Sequence, residues 1–348
     1  MKKISYTERI KKEQIQEEVN VSLVSIIIVN WNGLKYLCEC LSSLLNQTYP
    51  HIEVILVDNA STDGSVDFVK ENFQSVRIVQ NANNLGFAGG TNIGITESKG
   101  ELIALFNQDA IADKDWLANL VEEIESSEEI AAVAGKVCYR GDKYSKDAVF
   151  CTWSKIDPYN AMPYNFAGNE PKAAVDYLTG CAMLVKKEII DEIGPLDTGY
   201  FLYFDETDWC ARMIRAGYKL IYVPNAIVWH VVSGSLENSQ IKSEYMIRNR
   251  IRFALKNFDL RYIPIFLLSF AIETIFIFFR NIRESNLSET KLRMKAFSWN
   301  MLNLRKTFKA RREDLSKIKN CISYNQSLPL RQYKVGRIEH ICGLWEND

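Results

Sequence analysis

The chain has 348 residues, 47% of them hydrophobic and 24% charged, with 17 Gly and 8 Pro; that balance excludes a disordered, collagen-like or low-complexity polypeptide. The formal charge of −1 hides an asymmetry: from Lys242 onward 21 Lys and Arg stand against 10 Asp and Glu, and before it 21 stand against 33. A basic tail on an acidic body points to a polyanion or a membrane surface near that tail. Residues 1–20 are charged, carry only Ile10 and Ile15 as spaced apolar anchors and lack the apolar stretch of a signal peptide, so they read as an N-terminal extension. Leu23–Val29 is a β-branched run suited to a strand buried on both faces. Leu34, Leu37, Leu41, Leu44 and Leu45 give helical spacing over 34–46. Val54–Val57 is a second strand, followed by the polar turn Asp58–Ser65 and a helix to about Asn72. A short strand at Val76–Val79, a helix at 88–98, a strand at Leu102–Phe106 and a helix at Asp115–Ser126 continue the alternation. Strand alternating with helix predicts an α/β fold: a Rossmann-like, mainly parallel sheet flanked by helices.

Beyond about residue 130 the alternation loosens, and residues 139–172 carry loop signals such as Asp157-Pro158. An apolar run spans 178–186, a helix spans 206–216 and stops at Gly217, and strands follow at Tyr218–Val223 and before His230. Residues 244–256 read as a basic helix, and Ile263–Phe279 is almost wholly apolar. The expected organisation is an extension over 1–20, a globular catalytic domain over 21–240 and a helical basic region over 241–348. The eight cysteines are scattered without a C-x-x-C pair, which argues against a disulfide framework or a zinc site. They read as small buried hydrophobes in a reducing, cytoplasmic setting.

Chemistry is expected where strands end, because ligands of open parallel sheets bind beyond the carboxyl ends. Four such ends are polar: Asn30-Trp31-Asn32-Gly33, Asp58-Asn59-Ala60-Ser61, Asn83-Asn84-Leu85-Gly86 and Asn107-Gln108-Asp109. One polar end is an ordinary turn or cap; four in succession are not. No G-x-G-x-x-G follows the first strand, and no phosphate-binding G-x-x-x-x-G-K-[ST] is present. A divalent cation is the usual substitute for such a loop. Asp109 and Asn107 lie two apart, on one side of a strand, and so can face one cation. Asp205-Glu206-Thr207-Asp208 opens a helix; its carboxylates suit either the helix N-terminus or a general base. His230 closes a strand, as a structural residue or a ligand.

Together, these segments resemble the family 2 inverting glycosyltransferases with the A-type nucleotide-diphospho-sugar fold, most closely the bacterial rhamnosyltransferase branch. The likeness runs from about Val21 to Lys256 and rests on Val24–Gly33, Val57–Ser65, Asn83–Asn92, Asn107-Gln108-Asp109, Tyr203–Asp208 and Val228-Trp229-His230. The resemblance implies that Asn30 and Asp58 hold the nucleotide, with Asn84, Asn92 and Asn107 nearby. The family's D-x-D motif is here Asn107-Gln108-Asp109, so Asp109 would hold Mg2+ or Mn2+, with His230 completing the site. Glu206 would be the catalytic base, and Asp205 the alternative. The implied activity is inverting transfer of a sugar, dTDP-rhamnose being one donor, to a hydroxyl of a glycan or lipid-linked acceptor in cell-surface polysaccharide assembly. A sugar nucleotidylyltransferase or an inactive scaffold of the same fold are the rival readings.

In the tail, Ile263–Phe279 is 17 residues with one charge, Glu273, and from Arg280 onward 15 Lys and Arg stand against 7 Asp and Glu. That pattern favours an amphipathic helix lying at the inner face of the cell membrane. A homodimer contact and a true span are the other options. No aromatic-interleaved basic motif points to nucleic acid.

Overall fold

The computed structural model describes residues 21–140, 148–157, 159–168, 170–231 and 239–318. The continuous apolar runs become the inner strands of one sheet. β1 (Val24–Asn30) lies between β2 (Ile52–Asp58) and β4 (Leu102–Asn107), parallel to both. β3 (Arg77–Gln80) extends the sheet beyond β2 in the same direction. Crossover helices cover both faces, as buried parallel strands require. α1 (Leu34–Leu45) turns Leu37, Leu41 and Leu44 onto the face carrying Ile26 and Ile28. α2 (Ser65–Asn72) adds Val69 to the same core. α3 (Gly86–Glu97) packs Ala88 and Ile95 against Ile27, Ile55 and Val57 on the other face.

The second half of the sheet is mixed. β5 (Ala110–Ala112) and α4 (Trp116–Glu125) lead into β6 (Ile130–Tyr139). β11 (Ala182–Lys186) runs antiparallel between β4 and β6, and β12 (Lys219–His230) runs parallel to β6. β7 (Val149–Cys151) pairs with β6, and β10 (Ala173–Val175) with β12. The pair β8 (Trp153–Ile156) and β9 (Pro163–Phe166) stands apart. The sheet order is β10-β12-β6-β11-β4-β1-β2-β3, with β5 on the far end of β12.

Two readings change here. The strands expected at 218–223 and before His230 are one strand, β12, whose register shifts between Val223 and Ile227. Pro224 lies in that shift; it has no N–H to give a ladder, so the irregularity absorbs it. The segment read as loop over 139–172 holds β7, β8 and β9, whose Asn- and Pro-containing sequences masked short pairings.

α5 (Lys187–Ile193) and α6 (Asp205–Arg215) precede β12. After it come α7 (Ser239–Asn257), α8 (Ile263–Arg283), α9 (Ser288–Leu302) and α10 (Leu304–Ile318). These helices share a third core with the catalytic half: Ile251, Phe253, Phe258, Phe266 and Phe270 pack with Tyr200, Phe204 and Ala211. Six cysteines among the described residues are free, and all but Cys38 are buried; Cys321 and Cys342 lie outside them.

Candidate active site

Register assembles the carboxyl edge. Asn30 pairs with Asp58 across β1 and β2, and Val29 with Asn107 across β1 and β4. The fully buried Asn30 donates through Nδ2 to Asp58 Oδ1 at 2.8 Å and to Ser61 Oγ at 3.0 Å. Asp58 Oδ2 in turn accepts from the Ser61 N–H at 3.0 Å. The amide oxygen of Asn30 is buried without a partner among the described residues. A Cβ at Gly33 would lie 2.5 Å from that oxygen and from the Gln108 side chain, so only glycine lets the chain pass there.

Gln108 is a residue that sequence reasoning passed over. Its Oε1 accepts from the Trp31 N–H at 2.8 Å and its Nε2 donates to the Trp31 carbonyl at 3.3 Å. The period of two that aims Asn107 and Asp109 one way aims Gln108 at the β1 loop. That alternation was the signal available.

Asn84 and Asn92 act on the backbone. Asn84 Oδ1 accepts from the Gly86 N–H at 2.8 Å, at the entry to α3. Asn92 clasps Leu196 from both sides, donating to its carbonyl at 2.8 Å and accepting from its N–H at 3.0 Å. Both ends of its amide thus hold the segment leading to α6.

Three side chains from β4, its following loop and β12 converge. His230 Nε2 lies 3.1 Å from Asp109 Oδ1 and 3.2 Å from the Asn107 amide nitrogen. All three come together because β5 pairs Ala110 with His230, folding the chain after Asp109 back along β12. Asp109 is 3% exposed. Burial opposes charging of His230, yet neighbouring Cys181 and Asp109 outweigh it and raise its pKa to about 10. Among the described residues no three His, Cys, Asp or Glu side chains form a self-sufficient metal cage. A carboxylate, an imidazole and an amide nevertheless fit a hard or borderline divalent cation that keeps positions for phosphate oxygens and water. Asp109 does not cap α4, whose N-cap is Asp115.

The second carboxylate group sits at the start of α6. Glu206 Oε1 accepts from the Tyr177 hydroxyl at 3.1 Å. Asp205 is fully buried; burial first, and then the charge of Glu206, push its carboxyl well above the usual range. Glu206, half-buried, is the more accessible carboxylate of the pair. Burial first, and then the charges of Glu206 and Asp109, raise the Tyr203 phenol to about 12. Tyr177 carried no recognisable spacing signal, being placed by tertiary packing, whereas Tyr203 opens the Tyr203–Asp208 segment.

The approach to Glu206 is strained. Phe201, Tyr203 and Phe204 have φ of 67°, 63° and 68°, a left-handed backbone that costs about 1–3 kcal/mol per residue unless the surroundings hold it. The surroundings do. Phe87 N–H donates to the Phe201 carbonyl at 2.8 Å. Asn249 of α7, fully buried, places its Nδ2 at 3.0, 2.7 and 2.8 Å from the carbonyls of Tyr200, Leu202 and Tyr203. Gly86, with φ of 72°, leaves no room for a Cβ against the Phe201 carbonyl.

Behind α6 lies a buried ion network. Asp208 accepts from Arg212 Nε at 3.0 Å and Lys256 Nζ at 2.9 Å; Lys256 also meets Asp197 and Asp314 at 2.8 Å. Arg252 donates to Asp197 at 2.8 Å. Burial would raise the Asp208 carboxyl, but Lys256 and Arg212 hold it below the usual range. The basic helix read at 244–256 thus turns Arg250, Arg252 and Lys256 inward, where they are 4%, 4% and 1% exposed. Part of the basic excess that pointed to a polyanion is neutralised inside the protein.

Comparison with known proteins agrees with this arrangement. An uncharacterized glycosyltransferase of Haemophilus influenzae is 33% identical over 117 residues, 33% of this chain and 36% of that protein. The chain thus matches about a third of that relative's length. A dolichyl N-acetyl-alpha-D-glucosaminyl phosphate 3-beta-D-2,3-diacetamido-2,3-dideoxy-beta-D-glucuronosyltransferase of Methanococcus voltae is 26% identical over 234 residues, 64% of this chain and 69% of that one. The crystal structure of GalNAc-T7 with UDP, GalNAc and Mn2+ superposes with a TM-score of 0.57 at 18% identity, covering 84% of this chain and 58% of that one, a likeness of fold. Residues 25–194 match the model of glycosyl transferase family 2, a span that runs from β1 through the sheet's carboxyl edge to the end of α5, and this segment is a glycosyl transferase family 2 domain.

Proposed function

We propose that the protein transfers a sugar from a nucleoside-diphospho-sugar to a hydroxyl of a glycan or lipid-linked acceptor, with inversion at the anomeric carbon. The observation that carries the reading is the convergence of His230 Nε2 on Asp109 Oδ1 at 3.1 Å and on the Asn107 amide at 3.2 Å, at the carboxyl edge of the sheet where Asn30 pairs with Asp58: that corner suits a diphosphate and its cation. Asn30 and Asp58 hold the nucleoside, with Asn107 beside the phosphates. Asp109 and His230 hold Mg2+ or Mn2+; bound there, the cation supplies charge neutralisation for the leaving diphosphate. Mn2+ in the GalNAc-T7 structure supports that assignment. Glu206 takes the proton of the acceptor hydroxyl, an aid worth about 10²–10⁴-fold. Asp205 is fully buried behind it, which leaves the more accessible Glu206 as the acceptor. One displacement from the face opposite the leaving group inverts the configuration and calls for no covalent nucleophile.

dTDP-rhamnose is the donor to try first, and cell-surface polysaccharide assembly the expected setting. The Methanococcus voltae relative, whose name carries a dolichyl-linked sugar phosphate, supports a lipid-linked acceptor. The test incubates the full chain and Mn2+ with dTDP-rhamnose and with UDP- and GDP-sugars, following nucleoside diphosphate. Release that EDTA suppresses is expected. Pyrophosphate formed instead when a nucleoside triphosphate and a sugar 1-phosphate are supplied would favour nucleotidyl transfer, and no turnover of either kind would favour an inactive scaffold.

A further inference from the structure

Helix α8 has two unlike faces. Inward, Phe266 and Phe270 join the third core, Arg250 and Arg293 bind Glu273, and Asn281 Nδ2 donates to Thr290 Oγ1 at 2.9 Å. Burial would raise the Glu273 carboxyl, but Arg250 and Arg293 outweigh it and hold it low. Outward stand Ile265, Leu268, Ile272, Ile275, Phe276 and Phe279, with Phe276 73% and Phe279 64% exposed. Their spacing follows one side of a helix, over about 21 Å from Ile265 to Phe279. No charge interrupts the stripe, since the only charged residue between Ile263 and Phe279 is Glu273, and it points inward. An exposed apolar stripe of this length marks an interaction surface.

The charges beside it select the occupant. Arg280 and Arg283 close the helix, and the exposed side of α9 carries Lys291 and Lys295 alongside Met294 and Met301. In a two-fold contact between copies the patch meets itself, bringing these cations together. Against an anionic leaflet they are complementary. α8 is long and apolar enough to cross a membrane, but a crossing would carry Glu273 and its two arginines into the hydrocarbon and pull Phe266 and Phe270 from their core.

We propose that α8 lies in the plane of an anionic bilayer, with the Phe276–Phe279 face at the boundary between headgroups and acyl chains. The inference rests on this surface and not on the sugar-transfer reading, and its readout needs no donor. The full chain should co-sediment with vesicles of phosphatidylcholine and phosphatidylglycerol in equal parts, less so in high salt, and carbonate should strip it. Phe276→Ser with Phe279→Ser should lower partitioning about tenfold or more without moving the thermal melt, because both rings are exposed. Arg283→Gln and Lys291→Gln should each weaken it about fivefold. Failure of the wild type to bind, carbonate-resistant insertion, or conversion of a dimer to a monomer by the phenylalanine pair would each overturn the proposal.

Discussion

The carboxyl edge of the sheet and the C-terminal helices treat charge in opposite ways. At the edge, Asp109, His230, Asn30 and Asp58 are few, and each has a visible partner. In the helices, basic residues are many, and their meaning depends on which way each turns. Lys256 is 1% exposed and bound by three carboxylates, whereas Lys309, on α10, is a solvated residue whose side chain is 78% exposed. A net charge counts both alike. The inward set ties α7 to α6, the helix that carries Glu206. The boundary expected near residue 240 falls beside residues 232–238, which lie outside the described residues. Across it Lys256 and Asn249 reach Asp208 and the 200–203 backbone.

The comparison is broken most sharply at the edge itself. Glu206→Gln keeps the shape and removes the proton acceptor, so kcat should fall by about 10²–10⁴-fold with donor KM little changed. Asp205→Asn should cost less, because Asp205 is fully buried and its carboxyl is pushed above the usual range, which makes it the poorer proton acceptor for an incoming substrate. A larger loss in Asp205→Asn, read in the same steady-state assay, would transfer the base to Asp205.

Next in size is the network behind α6. Asp208→Asn leaves Lys256 and Arg212 short of a counter-charge and should cost about 3–5 kcal/mol in denaturant unfolding. The pH dependence has a definite sign. Asp208 has a folded pKa below its ordinary 3.8, so its contribution is present above that value and is lost as pH falls through the folded pKa. The stability gap between wild type and Asp208→Asn should therefore narrow only in acid below 3.8. A gap that narrows towards neutral pH would show that Asp208 is not held low.

Much of the edge was legible because buried strands write themselves as unbroken apolar runs, and because Asn30, Asp58, Asp109 and His230 each stand where such a run stops. The helices were legible as helices but not as partners. Glu273 read as the one charge of an apolar run; in the fold it is anchored between Arg250 and Arg293. Nothing local distinguishes Lys256 from Lys309, since burial is decided by α6 and α10 arriving from elsewhere in the chain. Asn92 shows the same limit: nothing local reveals that Leu196, 104 residues on, meets both ends of its amide.

A smaller effect joins the two regions. Asn249→Ala removes the donor shared by three strained carbonyls and should cost about 1–3 kcal/mol of stability. It should lower kcat by about ten- to a hundredfold through misplacement of Glu206, with donor KM unmoved, because Asn30 and Asp58 do not touch it. A rise in KM at constant kcat would mean that Asn249 supports the nucleotide side instead.

The smallest expected effect tests the sorting of charges directly. Lys309 faces Glu313 one turn on at 3.7 Å, with side chains 78% and 60% exposed. In that setting water and salt already screen the pair, and ordering two long side chains offsets most of the attraction; exposed helical pairs contribute about 0.3–0.5 kcal/mol. Lys309→Met should therefore leave the unfolding midpoint nearly unchanged. Lys256→Met removes the same charge from the same helical region, yet it strands Asp197, Asp208 and Asp314 together in a dry interior, where uncompensated charge is costly. A loss of about 3 kcal/mol or more is expected there, and raising the salt should not restore it, since buried pairs are poorly screened. Equal losses in the two variants would mean that burial does not separate the basic residues of this tail, and that their net charge acts as a single surface field after all.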